Sequence, residues 1–134
     1  MKLTLATLTV VLAVSALIVA QDKTTVSTKY VAAAEALAAD DYAKAKTALT
    51  GLAADSQGDL KVKAQAAAGA ANIAEMRKAF KPLSEVVAKM DLPSGHSLLF
   101  CPMYEKGSYW VQKKGATANP YFGKAMLTCG EVKK

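Results

Sequence analysis

The spacing of apolar residues divides the chain into four tracts. A run of apolar and small polar residues fills positions 3–20 and stops before Gln21 and Asp22. From Val26 to Met90 the sequence is rich in alanine, lysine and glutamate, and its larger apolar groups recur at steps of three and four, which predicts helices. Tyr30, Ala34 and Leu37 share one face of a first helix, after which Asp40 and Asp41 supply a break and an N-cap. Tyr42, Ala45, Leu49 and Leu52 line a second helix, which gives out in the polar loop from Asp55 to Asp59 and pairs antiparallel with the first. The tract from Leu60 to Ala68 is weakly amphipathic and is interrupted by Gly69. The fourth helix has the clearest stripe, Ile73, Met76, Phe80, Leu83, Val87 and Met90, with Pro82 expected to kink it or start a new turn. The stripe assigns Met76 and Met90 to packing.

Beyond Met90 the periodicity changes. Ser97–Cys101 and Ser108–Gln112 read as two short strands of a hairpin, and the segment from Pro120 to Gly130 holds an aromatic pair and a single helical turn before a polar tail. The expected architecture is mainly α. A bundle of three to four helices over 24–90 carries a small C-terminal β-hairpin and loop lobe over 91–134, in a single domain covering 21–134.

The N-terminal run, preceded by one basic residue, Lys2, reads as a secretory signal peptide over residues 1–20. Its length also approaches the roughly 18 apolar residues of a spanning helix, so a retained anchor is the alternative. Small residues crowd its end and no basic stop-transfer cluster follows, which favours cleavage. Ile18 stands where a small residue is preferred, so the bond cut is not fixed. Export would make the protein periplasmic or secreted, with no membrane attachment after cleavage. Without Lys2 the chain has 16 basic and 11 acidic residues, a net charge of +5. These charges are scattered singly, which points to a solvated surface and not to a nucleic-acid tract.

Export gives the two cysteines, Cys101 and Cys129, their weight, because thiols in an oxidising compartment ordinarily pair. Each has a methionine nearby. Cys101 and Met103 are two apart, so on an extended segment they would share a face. Met126 and Cys129 are three apart, so a helical turn would bring them to one side. Four sulfurs so arranged would suit Cu(I), with Ag(I) as a similar ion. Spacing alone favours the disulfide. His96, the only histidine, would face away from Cys101 on a regular strand and needs a bend at Gly95 to join as a ligand. Enzyme signatures are missing: there is no Cys-His pairing in sequence, CxxC motif, phosphate loop or HExxH pattern, and Asp40 and Asp41 read as capping residues.

The stretch CPMYEKGSYWVQKKGATANPYFGKAMLTCGEV resembles the C-terminal signature of a small exported domain-of-unknown-function family. That family occurs alone or fused to the periplasmic adaptor proteins of copper and silver efflux pumps. The matching positions are Cys101, Pro102, Met103, Gly107, Trp110, Asn119, Pro120, Tyr121, Phe122, Gly123, Met126, Leu127, Cys129 and Gly130. YVAAAEALAADDYAKAKTAL and MRKAFKPLSEVV are similar to its helices. The resemblance implies a periplasmic heavy-metal-binding domain with Cys101, Met103, Met126 and Cys129 as its sulfur residues. Members often have histidine immediately before the CPM cysteine; Phe100 stands there in this chain, so by the resemblance the ligand is either lost or replaced by His96.

The resulting expectation is an exported, non-enzymatic protein that binds Cu(I), or Ag(I), for copper tolerance or for transfer to an efflux adaptor or other copper-handling protein. Trp110 and Tyr121 would shield the site. The rival is a helical interaction module of the cell envelope stapled by a Cys101–Cys129 disulfide. A thiol-dependent redox enzyme is the third reading.

Overall fold

The structure is a computed structural model that describes residues 22–134. The signal-peptide reading, over residues 1–20, lies outside the described residues. The described residues form four α-helices and a small three-stranded antiparallel sheet: α1 (Lys23–Ala38), α2 (Tyr42–Ala54), α3 (Gly58–Ala68), α4 (Ile73–Ala88), β1 (His96–Cys101), β2 (Ser108–Lys113), a 3-10 turn (Gly123–Met126) and β3 (Glu131–Val132). Among the described residues no helix is long and apolar enough to cross a membrane.

Each helix packs on the next along the chain, and β2 lies against α4 and α1. Short polar side chains start three of the helices. The carboxylate of Asp22 accepts from Thr24 N–H, that of Asp41 from Lys44 N–H, and the Asn72 side-chain oxygen from Glu75 N–H. Such caps satisfy backbone donors that have no partner within the helix. Buried alanines, among them Ala33, Ala34, Ala45, Ala64 and Ala67, let the helix backbones approach closely. The α4 stripe is buried at Met76, Phe80, Leu83 and Val87, while Met90 is half-buried against the same core.

Pro82 starts no new turn, one of the two effects expected of it, because α4 runs unbroken from Ile73 to Ala88. Burial of the stripe on both sides of the proline outweighs the ~3 kcal/mol that a mid-helix proline costs. The polar tail also contains a strand. β3 pairs with β1 at Leu99↔Val132 and Phe100↔Glu131, giving the order β2-β1-β3. Further bonds extend the pairing: Lys133 N–H donates to the Leu98 carbonyl at 2.8 Å, and Leu98 N–H donates to the Lys134 carbonyl at 2.9 Å. Two residues carry no readable alternation, so long-range backbone pairing makes this strand and local pattern does not.

Two joints seat the lobe on the bundle. The first is aromatic. Tyr30 stacks on Phe80 with ring centroids 5.0 Å apart, Phe80 meets Tyr121 at 6.0 Å, and Tyr121 stacks on Tyr104 at 4.7 Å while meeting the edge of Trp110 at 6.3 Å. Each such pair adds ~0.5–1.5 kcal/mol beyond the area it buries. Behind the rings, the Tyr30 and Ser84 hydroxyls share a hydrogen bond of 2.6 Å, and burial raises the Tyr30 phenol above its ordinary range. The second joint is polar. Arg77, on α4, donates to the Pro120 carbonyl at 2.9 Å, to the Leu37 carbonyl at 2.6 Å and to the Asp40 carboxylate at 2.6 Å. Asp40 also accepts from Lys124 N–H at 3.2 Å. A side chain at Gly123 has no room, since its Cβ would stand 1.9 Å from an Asp40 oxygen.

The hydrogen bond from Arg77, with that from Lys124 N–H, holds the Asp40 carboxyl below the usual carboxylate range. A depressed folded value means that this contact is fully present above the unfolded carboxyl's value of about 4 and is lost as pH falls through the lower folded value. Asp40 has φ 59°, a conformation that asparagine also tolerates, so Asp40→Asn removes the charge with little backbone strain. The expected outcome is that urea midpoints of wild type and Asp40→Asn differ at pH 6 and draw together as pH falls from about 4 through the lower folded value. A constant gap across that range would contradict the assignment.

Candidate metal centre

Cys101 ends β1, the central strand of the sheet, and is fully buried. Its neighbour on β2 is Ser108, and on the other side the Phe100↔Glu131 pairing places Gly130 opposite Cys101. Cys129 therefore lies two residues before β3, beside the end of β1. The two sulfurs are 2.8 Å apart and both thiols are free. A disulfide bond is about 2.05 Å long. The hydrogen bond with Cys101 pushes the Cys129 thiol up to about 11, with desolvation and the charge of Cys101 adding in the same direction.

Asn119 places Cys129. Its side chain is fully buried; the amide oxygen accepts from Tyr121 N–H at 2.8 Å and Phe122 N–H at 3.0 Å, and the amide nitrogen donates to the Cys129 carbonyl at 2.6 Å. Asn119 N–H donates to the Leu127 carbonyl at 2.7 Å, and its own carbonyl accepts from Gly123 N–H at 3.0 Å. One residue thus closes the loop from 119 to 129. Trp110 forms the wall beside it. The indole N–H donates to the Gln112 side-chain oxygen at 3.0 Å, which also accepts from Ala118 N–H, and the ring lies so close to Gly130 that a Cβ there would stand 2.4 Å from it. Gly130 has φ 147°, a backbone angle that side-chain-bearing residues rarely adopt.

The thioethers are placed differently from the spacing argument. β1 stops at Cys101, so Met103 lies in the turn that follows and is 64% exposed. Pro102, lacking an N–H, cannot continue the ladder, and Glu105, Lys106 and Gly107 all take positive φ to return the chain. The shared-face geometry of an extended CxM therefore does not apply. Met126 ends the 3-10 turn and Cys129 lies beyond it, yet Cys129 N–H donates to the Met126 carbonyl at 3.1 Å, so the MxxC segment is closed as a turn. The Met126 side chain is 39% exposed.

His96 begins β1, five residues and about 16 Å of strand away from Cys101. It points to the opposite face from the buried Ser97, Leu99 and Cys101, and its Nδ1 lies 3.3 Å from the Pro93 and Ser94 carbonyls. Carbonyls only accept, so these bonds put the ring proton on Nδ1. The structure brings the two cysteines together and leaves His96 at the far end of the strand.

The donor set decides which ions fit. Among the described residues no cluster of three or more His, Cys, Asp or Glu could hold a metal, so a closed four-ligand zinc site cannot be completed from those types. Two adjacent thiols, which would bind a metal as thiolates, suit a soft ion of low coordination number, as Cu(I) and Ag(I) are. A groove of about 630 Å³ between α1 and α2, lined by Ala32, Ala36, Ala39 and Ala43 among others, does not reach the cysteines.

Asn119, Arg77 and Asp40 did not emerge from sequence as positioning residues. The Asn-Pro pair at 119–120 is a turn signal that could have drawn attention to the first. Nothing local announces a pairing between Asp40 and Arg77. Compared with protein-family models, curated proteins and solved structures, the chain finds no match.

Gly130→Ala places a methyl against the fixed indole. It is expected to cost ~1–3 kcal/mol, as overpacking does, and to alter Trp110 fluorescence, both read in one urea titration. An unchanged midpoint would contradict the placement of Gly130 on the ring.

Proposed function

We propose that this is an exported, non-enzymatic protein that binds Cu(I), or Ag(I), through Cys101 and Cys129 with thioether help from Met126 and Met103, for copper tolerance or for transfer to a periplasmic efflux adaptor or similar copper-handling protein. One observation carries the reading: two free thiols 2.8 Å apart where β1 ends beside the Cys129 loop. The resemblance of the CPM and NPYFGKAMLTCG segments to a metal-associated family supports the same reading, and the N-terminal run supports export. The lone histidine stands far from the thiols, so a thiol nucleophile would lack an imidazole base, which favours binding over catalysis.

The chain's own groups divide the work. Cys101, fixed in the central strand, is the anchored donor, and Cys129, on a loop held through Asn119, is the donor that adjusts. Met103 and Met126, being exposed, are suited to meet an incoming ion and to let it go. A bound ion supplies a crosslink between β1 and the C-terminal loop, so loading should also stabilise the lobe.

A second reading has an observation of its own. The sulfurs need to close by less than 1 Å to form a disulfide, which would make the lobe a stapled interaction module with no metal role. Anaerobic thiol counting and Cu(I) titration of the full protein separate the two. The metal reading expects two titratable thiols, a one-to-one Cu(I) complex, abolition by Cys129→Ser and roughly tenfold weakening by Met126→Ala, about 1.4 kcal/mol. No free thiols in freshly isolated protein, together with no Cu(I) bound after reduction, would sink it.

A further inference from the structure

We propose that Cys101 and Cys129 form a reversible dithiol–disulfide couple that exchanges with small disulfides such as oxidised glutathione, with Cys129 receiving the incoming disulfide and Cys101 resolving the adduct. The asymmetry of the two sites assigns the order. Cys101 is fully buried in the middle strand of the sheet, whereas Cys129 is half-buried in a loop segment next to Gly130. A disulfide arriving from solvent reaches Cys129 and cannot reach Cys101. Once it has reacted, the nearest thiol to the new mixed disulfide is Cys101, whose sulfur already stands 2.8 Å from that of Cys129. Bond formation needs a closing movement of about 0.8 Å, smaller than a side-chain rotamer change. The strand register permits it, because Cys129 and Cys101 lie one step apart across the β1–β3 pairing.

The exchange balances as two displacements. The thiolate form of Cys129, a small fraction at neutral pH because the Cys101 contact holds its proton, attacks one sulfur of the incoming disulfide, forming Cys129–S–S–R and releasing RS⁻. The Cys101 sulfur then attacks the Cys129 sulfur, forming the Cys101–Cys129 disulfide and releasing a second RS⁻. Each departing thiolate takes up one of the two thiol protons, so the protein loses two electrons and two protons, and one disulfide becomes two thiols. Oxidation would leave neither sulfur as a thiolate. If the pair also carries Cu(I), a consequence that rests on the reading in the preceding subsection, the couple gates cargo: the reduced lobe holds the ion and the oxidised lobe releases it.

The test uses the full chain, reduced and stripped of metal with a chelator, mixed with oxidised glutathione, quenched with acid at intervals and examined by mass spectrometry. Running it without metal keeps its outcome independent of copper binding. Wild type is expected to lose two hydrogens without accumulating an adduct. Cys101→Ser should stop at one glutathione adduct, mapped to Cys129, while Cys129→Ser reacts at least about tenfold more slowly because its remaining thiol is buried. If Cys101→Ser fails to fold, peptide mapping of the transient wild-type adduct at short times decides the order. Equal reactivity of Cys129→Ser and Cys101→Ser, a wild-type adduct mapped to Cys101, or wild type that keeps both thiols under oxidant would overturn the proposal.

Discussion

The C-terminal lobe depends on the Asn119 side chain. Its amide is fully buried, so every polar atom on it must find a partner inside the protein, and it does: two backbone N–H groups on the oxygen side, and the Cys129 carbonyl on the nitrogen side. Leaving such partners unpaired costs ~1–3 kcal/mol each. Those bonds couple the start of the Tyr121–Phe122 corner to the residue that bears the second thiol. The sulfur pair is therefore set by the backbone of the loop and does not rely on attraction between the sulfurs.

The same corner seats the lobe. Tyr121 follows directly from the bonds to Asn119, and its ring occupies the space between Phe80, Tyr104 and Trp110, while its hydroxyl donates to the Tyr109 carbonyl. Pro120 offers its carbonyl to Arg77, which holds Asp40 with another of its donors. Loop, bundle and sheet thus meet within five residues, 119–123. Gly123 and Gly130 mark two places in this corner and its loop where the packing leaves no room for a side chain. Cys101 approaches the same point from the rigid side, at the end of the middle strand. A fully buried sulfur on the strand faces a half-buried one on the loop.

Much of the fold was legible in the sequence because it rests on local periodicity. The stripe from Ile73 to Val87, the cap at Asp41 and the two strands of the hairpin all follow from spacing and short-range hydrogen bonding. What was not legible depends on distant partners. β3 exists because Leu98 and Phe100 lie where residues 131–134 can pair with them. The passage of α4 through Pro82 reflects burial on both sides of the ring. At the candidate site, the approach of Cys101 to Cys129 was open in the sequence as one alternative, and its geometry needed the β1–β3 register. The position of Met103 failed as a spacing argument because a strand that ends at Cys101 carries no alternation beyond it. Asp40 looked like a cap, and its role in holding Arg77 depends on a partner 37 residues away.

The central claim is that a soft ion is held by the sulfur of both cysteines. X-ray absorption at the copper edge, on the full protein loaded anaerobically with one equivalent of Cu(I), measures this directly. The account predicts a first shell of sulfur alone at about 2.3 Å, lost when both cysteines are replaced by serine. A shell dominated by nitrogen or oxygen, or a spectrum unchanged in the double serine variant, would contradict it.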